Sequence, residues 1–143
     1  MKSKLLDPAA EKTFALVLDT GDEAIACLLA FARENKVTAA HFTAIGGFSR
    51  VVLGYFDPEK KDYLPIPVEE QVEAVSLIGD IALEKGQPRI HAHCVIGKRD
   101  GSAAAGHLIE GFVRPTLEIV LTDSPSYLRR EFNAQAGLAL IKL

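Results

Sequence analysis

The chain has 143 residues, of which 48% are hydrophobic and 24% charged, and its formal net charge is −3. That length fits one domain, residues 1–143, with a sizeable core, and the acidic balance argues against a stand-alone nucleic-acid binder, which normally presents a basic face. Two cysteines imply no disulfide framework, and the N-terminus resembles neither a signal peptide nor a transmembrane segment, so a cytoplasmic protein is expected.

The first predicted elements are a strand followed by the clearest helix of the chain. Residues 14–19 alternate large and smaller apolar side chains between two faces, as a strand does. Thr20, with Glu23 three residues later, matches a capping box, so we predict a long helix from Thr20 to about Asn35. Small residues cover much of this helix, which suits close packing against a sheet or between subunits.

Short strands dominate the rest of the sequence. Gly46-Gly47 predicts a bend or bulge, and Pro65 with Pro67 indicates an edge strand, because proline cannot donate a ladder hydrogen bond. Pro125 suits a first helical turn and predicts a short helix over residues 125–132. The expected fold class is α+β, with a mainly antiparallel sheet and one long N-terminal helix. Besides the strand that carries His91, predicted strands span residues 14–19, 37–48, 50–57, 63–67, 74–83, 116–122 and 138–143.

A histidine-rich stretch, residues 89–108, is the candidate functional segment. His91 and His93 are two residues apart in a β-branched run, so a strand directs both imidazoles to one face. Asp100-Gly101 lies in a polar turn typical of a hairpin, and the chain then returns through small residues to His107. Three histidines in this arrangement are suitable ligands for zinc or another divalent metal ion, with one coordination position left open.

Other interpretations apply to these histidines and to two further residues. His91 and His93 are also compatible with a half-exposed strand face that binds nothing, because a His-x-His pair alone is a weak motif. His41, near the start of another strand, is interpreted as a surface or capping histidine rather than a ligand. Cys94 follows His93 directly, but strand alternation sends it to the opposite face and predicts a core cysteine.

Carboxylates near the predicted site are candidates for a supporting role. Glu118 is predicted on a strand close to the histidines, where it would orient a ligand or transfer a proton as the catalytic residue. The alternative for Glu118 is an exposed cross-strand charge. Glu110, three residues after His107, is a second candidate, and Glu73 is a weaker one.

Several motifs together resemble the plants-and-prokaryotes-conserved (PPC) domain. They are the sequence Ala-Gly-His-Leu at residues 105–108, the preceding His91-x-His93, and the apolar segment that follows at residues 110–121. The family motif is Gly-Gly-His-Leu, so Ala105 is a departure by one small residue that keeps the histidine. The resemblance extends over residues 14–143, nearly the whole chain.

The PPC resemblance implies a homotrimer in the fold group of acetolactate decarboxylase, an enzyme built around a zinc held by His-x-His and a later histidine. The apolar composition also fits an oligomer. The resemblance further implies the DNA-binding label that stand-alone prokaryotic members often carry. In plants the domain follows AT-hooks, but this chain has no Arg-Gly-Arg-Pro motif for a minor groove, and its basic residues form scattered pairs of a kind that is usually solvated.

Two classes of function follow. The favoured one is a PPC-domain protein that uses a divalent metal, zinc by preference, at His91, His93 and His107 to bind or convert a small molecule. The alternative is a DNA-binding or regulatory protein in which the metal is structural. No residue identifies a substrate, so the sequence leaves open whether the protein is an enzyme.

Overall fold

The computed structural model describes residues 2–7, 12–123 and 129–142, which form one nine-stranded sheet and one short helix. Neighbouring strands pair antiparallel, and a short parallel pairing joins β5 to β8. The mainly antiparallel sheet is therefore confirmed, whereas the helix has only 11 residues and is not long. The elements are β1 (Lys2–Asp7), β2 (Thr13–Asp19), α1 (Ala24–Glu34), β3 (Ala39–Asp57), β4 (Asp62–Val68), β5 (Val72–Glu84), β6 (Gln87–Gly97), β7 (Ala103–Asp123), β8 (Arg129–Asn133) and β9 (Leu138–Lys142).

The sheet closes on itself around the histidine-bearing strands. β3 pairs with both β5 and β7, and β6 also pairs with both β5 and β7, so these four strands form a closed circuit. β1 and β2 extend the sheet beyond β7, and β8 and β9 extend it beyond β5. No helix in the described part of the chain is long and apolar enough to span a bilayer.

The hydrophobic core lies between α1 and the inner face of the sheet. The predicted alternation of β2 is confirmed, because Phe14, Leu16 and Leu18 are buried while their neighbours are partly exposed. Phe31 of α1 meets Phe14 edge to face, with ring centroids 5.1 Å apart. Burying one such side chain stabilises a fold by roughly 1.5–3 kcal/mol, so this contact helps to fix α1 to the sheet, together with the other buried residues of the helix.

The predicted capping box at Thr20 is wrong. Glu23 is itself the N-cap of α1, and its carboxylate accepts hydrogen bonds from the backbone N–H groups of Ile25 and Ala26 at 3.1 and 2.6 Å. Thr20 lies in the preceding turn, where its hydroxyl donates to the carbonyl of Pro115 at 2.8 Å. The helix therefore begins one turn later than the sequence pattern indicated.

Two predicted strands, residues 37–48 and 50–57, are one continuous strand, β3. The bulge predicted at Gly46-Gly47 is confirmed, since the register with β5 and β7 shifts there. Gly46 has a φ of 153° and packs so closely against the backbone of Thr116 that a Cβ would overlap the carbonyl oxygen. Only glycine is compatible with this position.

Of two further predictions, an edge strand and a short helix, the first is confirmed and the second is wrong in part. The edge strand predicted from Pro65 and Pro67 is confirmed, because β4 pairs only with β3 within the described chain. The helix predicted over 125–132 is wrong in its second half, where residues 129–133 form β8 and pair with β9. Its first half, residues 125–128, lies outside the described residues.

Two hairpins place the histidines. The β5–β6 hairpin turns at Lys85 and Gly86, whose φ angles of 51° and 78° suit a two-residue turn between antiparallel strands. The β6–β7 hairpin turns at residues 98–102, where the N–H of Lys98 donates to the carbonyl of Ser102 at 2.8 Å. Both turns fix the register of β6, and hence which residues face its two histidines.

Candidate metal centre

Three histidines meet on one side of the β6–β7 hairpin. His91 and His93 of β6 lie on the same face, while Ala92 and Cys94 between and after them are buried on the other. His107 of β7 is the direct antiparallel partner of His93. The predicted return of the third histidine is confirmed, and so is the assignment of Cys94 to the core.

The three imidazoles form a cluster small enough for one ion. Their candidate ligand nitrogens all lie within 4.8 Å of one another, and the Nε2 atoms of His91 and His93 are 3.2 Å apart. Two nitrogens that each lie about 2.0–2.1 Å from one tetrahedral zinc are themselves about 3.4 Å apart. The spacing of His91 and His93 therefore fits two ligands of the same ion.

His107 is held in a state that suits metal ligation. Its ring stacks on Tyr63 with centroids 4.3 Å apart, and its Nδ1 atom is buried with no hydrogen-bond partner among the described residues. Burial, followed by the nearby His91, His93 and Arg130, lowers the pKa of His107 to about 4. The ring is thus neutral at neutral pH, as a ligand must be.

Asp80 and Arg130 flank the outer side of His91. Asp80 is opposite His91 in the β5–β6 ladder, with its Oδ2 atom 3.8 Å from Nδ1. Arg130 Nη2 donates to both Asp80 oxygens at 2.6 and 2.8 Å and lies 3.4 Å from His91 Nδ1. Burial and then Arg130 lower the pKa of His91, against the opposing effect of Asp80. Nε2 of His91 faces the other histidines, and Nδ1 faces this ion pair.

Two cavities open beside the cluster and differ in character. The first, about 160 Å³, is bounded by His91, His107 and Tyr63, together with Arg130 and residues 138–140 of β9. The second, about 380 Å³, is lined by His91 and His93 but not by His107. We call them the β9 cavity and the β3 cavity. Further lining residues of the β3 cavity are His41, Phe42, Thr43, Ile78, Gly79 and Asp80.

The carboxylates predicted from the sequence lie elsewhere. Glu118 is exposed on β7 and shares a separate cavity with Glu73 and Val75, and none of these three lines the β9 or β3 cavity. Glu110 pairs with Arg50 at 3.5 Å. The catalytic role of Glu118 stays a prediction, and the carboxylate that the structure places beside a histidine is Asp80.

Three residues beside the cluster were missed by sequence reasoning. Asp80 could have been found from the sequence, because a two-residue turn at 85–86 pairs Glu84 with Gln87. Asp80 lies four residues before Glu84 and His91 lies four residues after Gln87, so the two are opposite each other. Tyr63 and Arg130 had no such signal. Tyr63 reaches His107 of β7 from β4, and Arg130 reaches His91 of β6 from β8, so no single turn relates either residue to its histidine.

These features define a class of protein: a mainly antiparallel β domain with a cluster of three histidines at its surface. The chain matches the Plants and Prokaryotes Conserved (PCC) domain over residues 7–125. It belongs to this family, as the resemblance to the PPC domain implied.

Solved relatives cover the whole fold. A PPC protein from Pyrococcus horikoshii is 31% identical, with a TM-score of 0.87 over 99% of this chain and 95% of that one. A metal-containing protein from Archaeoglobus fulgidus is also 31% identical, with a TM-score of 0.85 over 99% and 97%. A Bacteroides thetaiotaomicron protein described as a DNA-binding candidate is 26% identical, with a TM-score of 0.88 over 98% and 96%.

A more distant likeness concerns the fold alone. A Staphylococcus aureus protein of unknown function, described as similar to α-acetolactate decarboxylase, has a TM-score of 0.56 at 11% identity, over 85% of this chain and 53% of that one. The predicted fold group is therefore supported by structure rather than by sequence. No curated protein matches the chain.

Proposed function

We propose that this protein binds a divalent metal ion, zinc by preference, through His91, His93 and His107 and presents its open coordination position to a small molecule. The observation that carries this proposal is the convergence of one ring nitrogen from each of the three histidines within 4.8 Å. An all-imidazole set suits zinc and similar borderline ions rather than magnesium or calcium. The metal-containing relative from Archaeoglobus fulgidus supports the binding of a metal, without distinguishing which ion.

The surrounding residues would orient the ligands and shape access. Asp80 Oδ2 lies 3.8 Å from His91 Nδ1, too far for a hydrogen bond, but its negative charge favours a proton on Nδ1 and so leaves Nε2 for the metal. Tyr63 fixes the plane of His107 by stacking. A zinc ion held in this way supplies Lewis acidity toward a carbonyl group or water. The two cavities would admit a ligand from either side of His91.

We propose the cytoplasm as the location of the protein. The free thiols of Cys27 and Cys94 fit the reducing conditions there.

Anomalous diffraction tests the metal assignment directly. Crystals grown without chelator should give a peak above the zinc absorption edge, and no peak below it, between the three imidazoles. Protein treated with chelator before crystallisation is the matched control and should lose the peak. A peak placed elsewhere, or none in either crystal, would contradict the proposed site.

We further propose that the chain assembles as a homotrimer, as its family resemblance implies. Support comes from an exposed apolar patch formed by Ile45, Val75, Ile78 and Val120, each at least half exposed on adjacent strands β5, β3 and β7. A contiguous patch of this kind on a soluble domain is typical of a protein interface. Ile78 also lines the β3 cavity, so a second subunit on the patch would border the metal site.

Duplex DNA is expected to bind weakly, at ~10⁻⁴ M or weaker at physiological salt, as non-specific binding does. The physical reason is local charge compensation: ion pairs join Lys98 to Glu70, Lys142 to Glu131 and Arg89 to Glu84, each within about 3 Å. The measurement is fluorescence anisotropy with a labelled duplex at two salt concentrations, on zinc-loaded and chelator-treated protein. Sub-micromolar, salt-sensitive binding would favour the DNA-binding alternative instead. In that case the three copies of Lys98-Arg99 in a trimer would form one basic surface.

A further inference from the structure

We propose that Gly54 and Tyr63, in the hairpin of β3 and β4, are positioning residues that fix the third histidine, His107, and so set the affinity of the site for its metal. This inference rests on the proposed metal site. It assigns control of that site to a hairpin that contributes no histidine to the cluster. Tyr63 acts on the ring of His107 directly, and Gly54 acts by leaving the space in which the ring of Tyr63 lies.

The rings of His91 and His107 have different surroundings. A charged pair, Asp80 and Arg130, borders Nδ1 of His91 at 3.8 and 3.4 Å. Nδ1 of His107 is buried, yet it has no hydrogen-bond partner among the described residues. A ligand histidine usually has its orientation fixed by a hydrogen bond from its other ring nitrogen. His107 therefore depends on another kind of contact for its orientation.

Aromatic rings supply that contact. Tyr63 stacks on His107 with centroids 4.3 Å apart and an angle of 19° between the planes. His91 is a second, looser neighbour at 5.4 Å and 29°. Tyr63 is itself held by Phe56, its ladder partner on β3, which meets it edge to face at 5.3 Å. A ring packed at these distances leaves its neighbour little room to turn, so Tyr63 limits the rotation of the His107 imidazole.

Gly54 makes room for the stack. It is the direct partner of His107 in the β3–β7 ladder, so its missing side chain leaves a gap on the face where that imidazole lies. A Cβ at Gly54 would lie 2.9 Å from Cδ1 of Tyr63 and 2.9 Å from Cδ1 of Ile109, well inside the 3.5–4.0 Å at which carbon atoms pack. The end of Ile109 can turn away, whereas Cδ1 of Tyr63 belongs to a rigid ring. An alanine here would therefore displace Tyr63 from His107.

A fixed imidazole raises metal affinity because less freedom of the side chain is lost when the metal binds. Residues that orient a metal ligand from outside typically contribute 10–100-fold to the affinity. We expect the ring of Tyr63 to have an effect of this size. Gly54 should have an effect only through that ring.

The test of Tyr63 measures zinc affinity by competition with a chromogenic chelator, and the visible absorption spectrum of Co²⁺-substituted protein. Tyr63→Leu keeps an apolar side chain without a flat ring, and it should weaken zinc binding at least tenfold and alter the Co²⁺ bands. Tyr63→Phe keeps the ring and should retain the affinity and the spectrum of the wild type. Tyr55→Leu is the matched control, since Tyr55 is 65% exposed on the same hairpin, and it should change neither.

Gly54→Ala tests the second residue by adding a single methyl group. Gly54 has no positive φ, so alanine introduces no backbone strain there. The variant should weaken zinc binding in an otherwise wild-type protein and cause no further loss in a Tyr63→Leu background, because the two changes act through one contact. Ile109→Ala should retain the wild-type affinity, which would exclude Ile109 as the route of the effect.

The contrary results are distinguishable. Wild-type protein that binds neither zinc nor Co²⁺ would refute the proposed metal site, and this inference with it. Wild-type protein that binds zinc no more tightly than Tyr63→Leu does would refute only the role of Tyr63. Equal losses in Tyr63→Leu and Tyr63→Phe would overturn the role of the ring in favour of the hydroxyl group. An additive loss in the double variant would show that Gly54 does not act through Tyr63.

Discussion

Replacing His93 with alanine should abolish stoichiometric zinc in the purified protein. His93 supplies one of two nitrogens that lie 3.2 Å apart, and it is the cross-strand partner of His107, so its loss leaves two imidazoles and an incomplete ligand set. Removing even a residue that only supports a ligand typically costs 10–100-fold in metal affinity, and loss of a ligand itself should exceed about 100-fold. Zinc per chain, measured by inductively coupled plasma mass spectrometry after gel filtration, should fall from about one to near zero.

His41→Ala is the matched control for that experiment. His41 is an exposed histidine that lines the β3 cavity with His91 and His93 but does not belong to the three-histidine cluster. Its replacement should leave the zinc content unchanged. Equal zinc content in the two variants would contradict the site assignment. Equally high zinc would mean that His93 is not a ligand, and equally low zinc would mean that His41 also belongs to the site.

Replacing Ile45 with glutamate should convert a trimer into monomers. Ile45 is 61% exposed in the single chain, so the substitution removes little packing from the core, although it places a second carboxylate opposite Glu118 in the β3–β7 ladder. In an assembled patch the same carboxylate would be buried against apolar side chains, which is strongly unfavourable without a partner charge. Multi-angle light scattering at micromolar concentration should give three chains of 15.5 kDa for the wild type and one for the variant.

Phe132→Glu provides the comparison, since Phe132 is 66% exposed on β8 and lies outside the apolar patch. This variant should keep the mass of the wild type. A monomeric wild-type protein would exclude the trimer altogether. A trimer that survives Ile45→Glu but not Phe132→Glu would move the interface to the β8–β9 hairpin.

The histidine cluster was accessible to sequence reasoning because local rules determine it. Strand alternation fixes the common face of His91 and His93, and one turn at residues 98–102 returns His107. Glu118 shows where those rules end. Its place on a strand and its face could be predicted, but its distance from the cluster depends on how far along β7 it lies, and it shares a cavity with Glu73 instead.

The β8–β9 hairpin could not be predicted from local propensity. Residues 125–132 contain several good helix formers, yet Arg129 and Arg130 pair with both β5 and β9. Tertiary pairing outweighs helix propensity here, as it often does when the differences are a few tenths of a kcal/mol per residue. Arg130 and its contact with Asp80 were missed for that reason.

The two-residue turn at Lys85-Gly86 limits the insertions and deletions that the chain can accept. A shift of one residue in the β5–β6 register reverses the face that each β6 side chain presents to its neighbours on β5. Such a slip would remove Asp80 from His91 and place an apolar neighbour, Gly79 or Ile81, opposite it. The turn should therefore accept substitutions that tolerate positive φ, whereas insertions or deletions that move the register would separate the histidines from their carboxylate without altering any residue of the cluster.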